Sequence, residues 1–325
     1  MSRIQGKDYT DSATAYAGID VCKAWLDVHV LGAGRDEGFR VANTAEGIAE
    51  LLARLGGLPL GRVVLEATGR MHHAVWRALD GAGIAVVELN PYRSRKFADT
   101  IGQLAKTDAI DARLLALAAA SLALAPTPPR PQSILRLKEL QALRRNLVTR
   151  RVALANQLAA ATDATVCKIL AAEQRLVLRH VVELDAEILA LVEADARLAR
   201  THAILVSVPG IGSVSACTLI AGLPELGAAT DKQIAALAGV APMNWDSGAT
   251  RGRRCIKGGR APLRAALHMA ALAAARTNPA LAAVRDRMRQ AGKHGSVIRI
   301  AILRRLIVLA NALVAQDRLW TPQKP

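Results

Sequence analysis

The order of apolar and polar positions divides the chain before any single residue draws attention. Residues 16–31, YAGIDVCKAWLDVHVL, are rich in β-forming side chains and break at Cys22-Lys23, the pattern of a strand hairpin. A third short strand fits 37–42, and a helix fits 44–55. RVVLEATG (62–69) reads as a buried strand running into a turn, with a helix over 70–82. IAVVELNP (84–91) repeats strand and breaker, and helices follow at roughly 92–100 and 107–124. Three early strands, then strands alternating with helices, predict an α/β domain with a mixed sheet over 1–125.

The proline-rich PTPPRP (126–131) marks a boundary. Residues 133–200 contain neither Gly nor Pro, and Leu135, Leu137, Leu140, Leu143 and Leu147, then Leu176, Val181, Leu184, Ile188 and Leu191, recur at helical spacing. Two long helices in a hairpin or coiled coil over 126–200 are the expectation, with a plausible role in oligomerisation. A third region, 201–325, is helical with glycine-rich turns. The uncharged run Ala203 to Pro224 has the length of a membrane span. Pro209, Gly210 and Gly212 at its centre fit a hairpin better, so no membrane association is expected.

Hydrophobic residues make up 52% of the chain and aromatic ones only 3%, a mix that favours helices packed through small aliphatic side chains. Charge is unevenly placed. The first 125 residues are neutral overall, whereas 248–325 hold 16 basic and two acidic side chains, nearly all of the net +16. Such a block reads as a footprint for nucleic acid, with a merely solvated basic face as the bland alternative. Cys22, Cys167, Cys217 and Cys255 are scattered, which predicts buried thiols in a reducing compartment and no zinc site. No apolar signal core opens the chain, and a cytoplasmic location is expected.

The acids of the first domain are the candidate chemistry. Asp20 lies inside the first strand, where an ionised side chain is costly unless something pairs with it. Glu66 ends an apolar strand, and Asp108 and Asp111 share one face of a helix. Like charges gathered this way repel, and a divalent cation held by oxygen ligands, Mg²⁺ or Mn²⁺, is the usual remedy. Singly, each acid fits a turn, a cap or an ion pair; the ordered set is harder to dismiss.

That order of strand, strand and helix is the ribonuclease H-like, RuvC-type arrangement. GIDVCK, LEATG and AKTDAIDARLLA resemble the three acidic motifs of the DEDD transposases of the insertion sequence 110 family. LVSVPGIGSVSACTLIAGL, LAGVAPMNWDSG and GRRCIKGGRAPLRAALHMAA resemble that family's C-terminal region. The likeness covers about residues 16–316 and is weakest in the coiled segment and the tail. It implies that Asp20, Glu66, Asp108 and Asp111 bind metal and act in catalysis. It also implies a C-terminal transposase domain over 201–325 and a DNA recombinase or transposase as the activity.

Two C-terminal motifs follow. VPGIGSVSA (208–216) is similar to a helix-hairpin-helix turn, with Gly210 and Gly212 allowing close approach to a DNA phosphate. A plain turn between buried helices fits it equally well. In WDSGATRGRRCIKGG (245–259), Ser247 is by local chemistry either a turn residue or a nucleophile. Arg251, Arg253, Arg254, Lys257, Arg260 and Arg264 around it could clamp phosphate oxygens. The resemblance implies that Ser247 is the nucleophile, forming a phosphoserine with DNA, and that a noncoding bridge RNA guides the reaction. The basic tail (Arg285, Arg287, Arg289, Lys293, Arg299, Arg304, Arg305) permits such an RNA without showing one. Paired strand cuts predict a homodimer or homotetramer. The alternative is a RuvC-like metal-dependent nuclease in which Ser247 is a bystander. His72 and His73 point to different sides of a helix and receive no role, and Trp25 and Trp76 are expected in the core.

Overall fold

The computed structural model describes residue 9 and residues 12–322, apart from 68, 70, 104, 106, 129, 245, 249 and 253. The chain divides into two compact units, 1–129 and 130–325.

In the first unit β1 (Ala15–Val21), β2 (Trp25–Gly32) and β3 (Arg35–Ala42) form an antiparallel meander. The Asn43 amide holds the first turn by donating to the Cys22 carbonyl at 2.8 Å. Helix α1 (Ala45–Leu55) follows, N-capped by Thr44. Strand β4 (Leu60–Glu66) then pairs parallel to β1. After α2 (His73–Gly81), β5 (Val86–Leu89) pairs parallel to β4. Asn90 caps α3 (Pro91–Thr100), whose first residue is a proline, and Thr107 caps α4 (Asp108–Ser121). The strand order β3-β2-β1-β4-β5, with one antiparallel and one parallel half, is that of a ribonuclease H-like domain.

Alternation along β1 sorts its side chains. Ala15, Ala17, Ile19 and Val21 join a core with Leu51 and Leu55 of α1 and Trp76 and Leu79 of α2. On the other face, Val64, Val87 and Leu89 pack against Leu115, Ala118 and Ala119 of α4. A Cβ at Gly18 would stand 2.1 Å from the Ala112 carbonyl oxygen and 2.2 Å from the Ala116 nitrogen. Glycine at this point is what lets α4 lie directly on the strand.

The second unit begins with the helical hairpin α5 (Gln132–Ala160) and α6 (Ala164–Glu193), clipped by Arg136–Glu187, Arg144–Asp185 and Arg150–Glu173. Val177, Val181, Ile188 and Val192 form the buried stripe of α6. Leu143 and Leu176, expected in that seam, are exposed instead, because two helices alone cover only one face of each other. Helix α7 (Ala196–Val206), the turn 207–212 and α8 (Ser213–Gly222) account for the uncharged run. No described helix is long and apolar enough to cross a membrane.

Helix α9 (Asp231–Leu237) has a full capping box from Thr230 and Gln233. A small ribbon of β6 (Pro242–Met243), β7 (Asp246–Ser247), β8 (Thr250–Arg251) and β9 (Cys255–Ile256) follows. Helices α10 (Ala261–Ala266), α11 (His268–Thr277), α12 (Pro279–Gln290) and α13 (Gly295–Ala315) complete the unit. Two smaller expectations need correction. Trp25 is 47% exposed, with only Trp76 in the core. Among the cysteines only Cys217 is buried, and Cys255 is exposed on its short strand.

Candidate active site

Asp20 stands near the end of β1, on the face away from the α1 and α2 core. Glu66 is the last residue of β4, two positions beyond Val64 and therefore on the same face. Asp108 and Asp111 occupy the first turn of α4, where the helix dipole favours carboxylates. All four line one cavity of about 370 Å³, at the carboxyl ends of neighbouring parallel strands. The close contact at Gly18 fixes the distance of α4 from β1, and so carries Asp111 and Asp108 to Asp20.

Charge crowding is visible on Asp20. Burial pushes its carboxyl up to about 6, and the carboxylates of Asp111, Asp108, Glu66 and Asp27 push the same way. Three neighbours not singled out in the sequence shape the site. Ser94 Oγ on α3 donates to Glu66 Oε2 at 2.6 Å. Asp27, opposite Asp20 in the β1–β2 register, is buried and receives Arg40 through two bonds of 2.9 and 3.0 Å. Arg40 Nη2 also lies 3.8 Å from Asp108 Oδ2. Asp27 met the same criterion as Asp20, an acid inside an apolar strand; Ser94 carried no such signal.

As the side chains stand, no three Asp, Glu, His or Cys groups among the described residues converge on one metal position. The donor set nevertheless fits a hard divalent cation: four carboxylates around one cavity, with Asp20 raised by its neighbours.

Ser247 is set differently. The ribbon nests one pair inside another, Met243 opposite Cys255 and Ser247 opposite Thr250. Gly248 takes φ +54° at the turn, a left-handed conformation that glycine adopts without strain. Arg254 Nη2 reaches Asp246 Oδ2 at 2.8 Å, and Asp246 also accepts the Gly252 N–H at 3.1 Å. That arginine holds the Asp246 carboxyl below the usual carboxylate range. Ser247 is exposed beside this clamp, and its hydroxyl has no hydrogen-bond partner among the described residues.

Two family models match the chain. One, described as a transposase of the DEDD type in insertion sequence 110, covers residues 17–167. The other, the IS116/IS110/IS902 transposase family, covers residues 202–285, and together they span most of the chain. This chain belongs to the insertion sequence 110 transposase family. Its class is therefore that of DNA recombinases and transposases. The chain is 27% identical over 324 residues to a pilin gene-inverting protein of Moraxella bovis, covering 93% of this chain and 96% of the relative. A protein of the same description from Moraxella lacunata is 27% identical over 326 residues, with the same coverage. Among solved structures, T. thermophilus RuvC in complex with a Holliday junction substrate matches with a TM-score of 0.27 and 17% identity. That match covers 35% of this chain and 99% of RuvC. So slight a likeness carries no argument, and the ribonuclease H-like assignment stands on the strand order.

Within this transposase the predicted nucleic-acid contacts separate into two groups. Arg260 is engaged inside the chain, donating to both Glu225 carboxylate oxygens at 2.6 Å and to the Gly222 carbonyl at 2.9 Å. Arg264 donates to the carbonyls of Gly239 and Gly258 at 3.0 and 3.1 Å, and Arg254 is the Asp246 clamp. These three are bonded within the chain, Arg254 to the ribbon and Arg260 and Arg264 to the segments before and after it. Arg251 and Lys257 are exposed, and Arg253 lies outside the described residues.

The 208–216 turn divides in the same way. Gly210, at φ +102°, would place a Cβ 2.4 Å from Ala274 of α11. Its lack of a side chain lets the turn approach that helix closely. Gly212 is exposed as the N-cap of α8, with open space around its missing side chain. Arg287, Arg289, Lys293, Arg299, Arg304 and Arg305 are exposed, whereas Arg285 is paired with Asp286. His72 is buried and lies 3.7 Å from Glu88, a structural setting away from the acids' cavity.

Proposed function

We propose that this transposase exchanges DNA strands using Asp20, Glu66, Asp108 and Asp111 as metal-binding acids and Ser247 as nucleophile. The gathering of the four acids around one cavity carries the reading. These four acids would hold a divalent cation, Mg²⁺ or Mn²⁺, which would supply charge neutralisation at the scissile phosphodiester. The acids bind and orient; Glu66 is held in place by Ser94. The Ser247 Oγ–phosphorus bond forms as one phosphorus–oxygen bond of the DNA breaks. The serine loses its proton, and the departing strand end gains one. The phosphoserine keeps the energy of the broken ester, so a hydroxyl of another strand can reverse the step and rejoin DNA without a further energy source. Rejoining is also what the names of the gene-inverting relatives support.

In this reading residues 1–125 form the acidic catalytic domain, 126–200 the oligomerisation segment, and 201–325 the serine domain with its basic tail. The exposed cations of the tail and the α8 N-terminus at Gly212 bind DNA and a guiding noncoding bridge RNA, and the protein works as a homodimer or homotetramer. The decisive experiment incubates protein, Mg²⁺, element-end DNA and the noncoding RNA that flanks the element, then looks for DNA linked to serine. Ser247→Ala is expected to abolish the adduct and strand exchange while DNA binding stays intact. Asp20→Ala is expected to lose about a thousandfold in rate, as removal of several kcal/mol of transition-state stabilisation requires. Mixing the two variants reads cis from trans: restored exchange means that acids and serine come from different chains.

Ser247 is exposed, and its hydroxyl has no hydrogen-bond partner among the described residues. That observation favours one rival, a metal-dependent nuclease that leaves serine unused. Full cutting by Ser247→Ala with no adduct would establish the rival.

A further inference from the structure

A large cavity of the second unit lies apart from the ribbon, among α12, α13 and residues 318–322. It measures about 1040 Å³, at the upper limit of small-molecule sites. Its walls are apolar, from Leu281, Val284, Met288, Val308 and the Trp320 ring. Trp320 is fixed in place: its backbone N–H donates to Ser207 Oγ at 2.8 Å, and Arg200 holds Asp317 at 2.8 Å just before it.

Two observations give the cavity a polar specification. Asn278, between α11 and α12, lines it and is only 1% exposed. Its Oδ1 accepts the Leu281 N–H at 3.3 Å, which settles the orientation of the amide. The Nδ2 donor then has no partner among the described residues, a costly state for a buried group and one that an acceptor on a ligand would relieve. Arg304, Arg305 and Arg318 also line the cavity, with Asp231 as its one carboxylate. Arg304 and Arg305 are exposed and make no ion pair among the described residues. An apolar slot with one aromatic wall, one buried donor and a cationic rim suits a flat heterocycle with ring acceptors and an attached phosphate.

We propose that this cavity receives one unstacked nucleobase of a bound nucleic acid, with Asn278 donating to its edge and Arg304 and Arg305 gripping the flanking phosphate. The proposal rests on the DNA recombinase class of the chain and not on the serine step, so it survives or fails independently of the adduct. Single-stranded and bulged nucleotides are recognised in this way, by an aromatic face and a few edge contacts. The apolar walls would equally take a side-chain cluster from a second copy. The unpaired arginines favour the polyanion.

The test uses the full chain and fluorescence anisotropy. The probes are a DNA duplex with one bulged adenine, an RNA stem with the same bulge, and versions of each with an abasic bulge or full pairing. The base-containing bulge is expected to bind about tenfold more tightly than its abasic counterpart, the worth of one stacked base. A preference in the DNA arm, the RNA arm or both identifies the source. Asn278→Asp keeps the cap for Leu281 and removes the donor, and is expected to erase the preference while fully paired DNA binds nearly as before. The double variant Arg304→Gln/Arg305→Gln checks the rim without touching the core. Equal binding of base and abasic bulges by the unmodified protein overturns the proposal. So does a preference that both variants retain, or a change of oligomeric state in sedimentation as their only effect.

Discussion

The acidic cavity and the Ser247 ribbon are built by opposite means. Each acid projects from an element whose other side is core, and Gly18 sets the spacing between two of those elements to within an atom's width. Ser247 sits on a two-residue strand whose geometry depends on a left-handed glycine and one exposed ion pair. The first site is therefore as rigid as the domain that carries it. The second can be disturbed without unfolding anything.

The largest test of that contrast is Gly18→Val. A branched side chain must displace α4, and overpacking of a close contact costs about 1–3 kcal/mol or more. The melting temperature is expected to fall clearly and metal-dependent cutting to be lost with it; unchanged melting would mean that α4 does not rest on β1 as described. A smaller effect follows from Asp20. Its carboxyl titrates near 6 in the fold and at an ordinary, lower value when unfolded, so protonation favours the folded chain. In chelator, this contribution is full below about pH 4 and is lost as pH rises through about 6. A divalent cation, which binds the ionised form, should reverse the trend at pH 7, and Asp20→Asn should abolish it. Thermal melts from pH 4 to 8 with and without Mg²⁺ read all three. The smallest effect on stability belongs to Asp246→Asn. It loosens the Arg254 clamp at an exposed position, so melting should not change, while strand exchange should drop about tenfold through misplacement of Ser247. Equal exchange by this variant would show that the clamp does not position the serine.

Much of the first unit was legible because its signals are local. The apolar runs ending in GID, VVLE and VVEL marked strands, and the turns and breakers after them marked where helices begin. The four acids could be grouped because strand ends and a helix start converge in this sheet order. What escaped depends on partners distant in sequence. Ser94 matters only because α3 lies beside Glu66, and Arg40 because β3 pairs with β2 in a register that puts it across from Asp27. The same reason explains the arginines. Arg260 and Arg264 look like part of one basic run, yet Glu225 and the carbonyls of Gly239 and Gly258 are brought to them by folding. Composition counts charges and cannot see which have partners within the chain.

The placement of charge has a practical consequence. A neutral first 125 residues and a last quarter with 16 cations mean that grip and cut answer to different variables. Salt is expected to screen the exposed arginines of α12 and α13 and so to weaken their proposed hold on the polyanion. It acts far less on the acids of the cavity, whose obstacle is their own mutual repulsion and a phosphate of like sign. On the function proposed above, nucleic acid is expected to be held in chelator without being broken, and addition of the cation alone to start the reaction. In that reading binding and cleavage are two separately timed events on one chain.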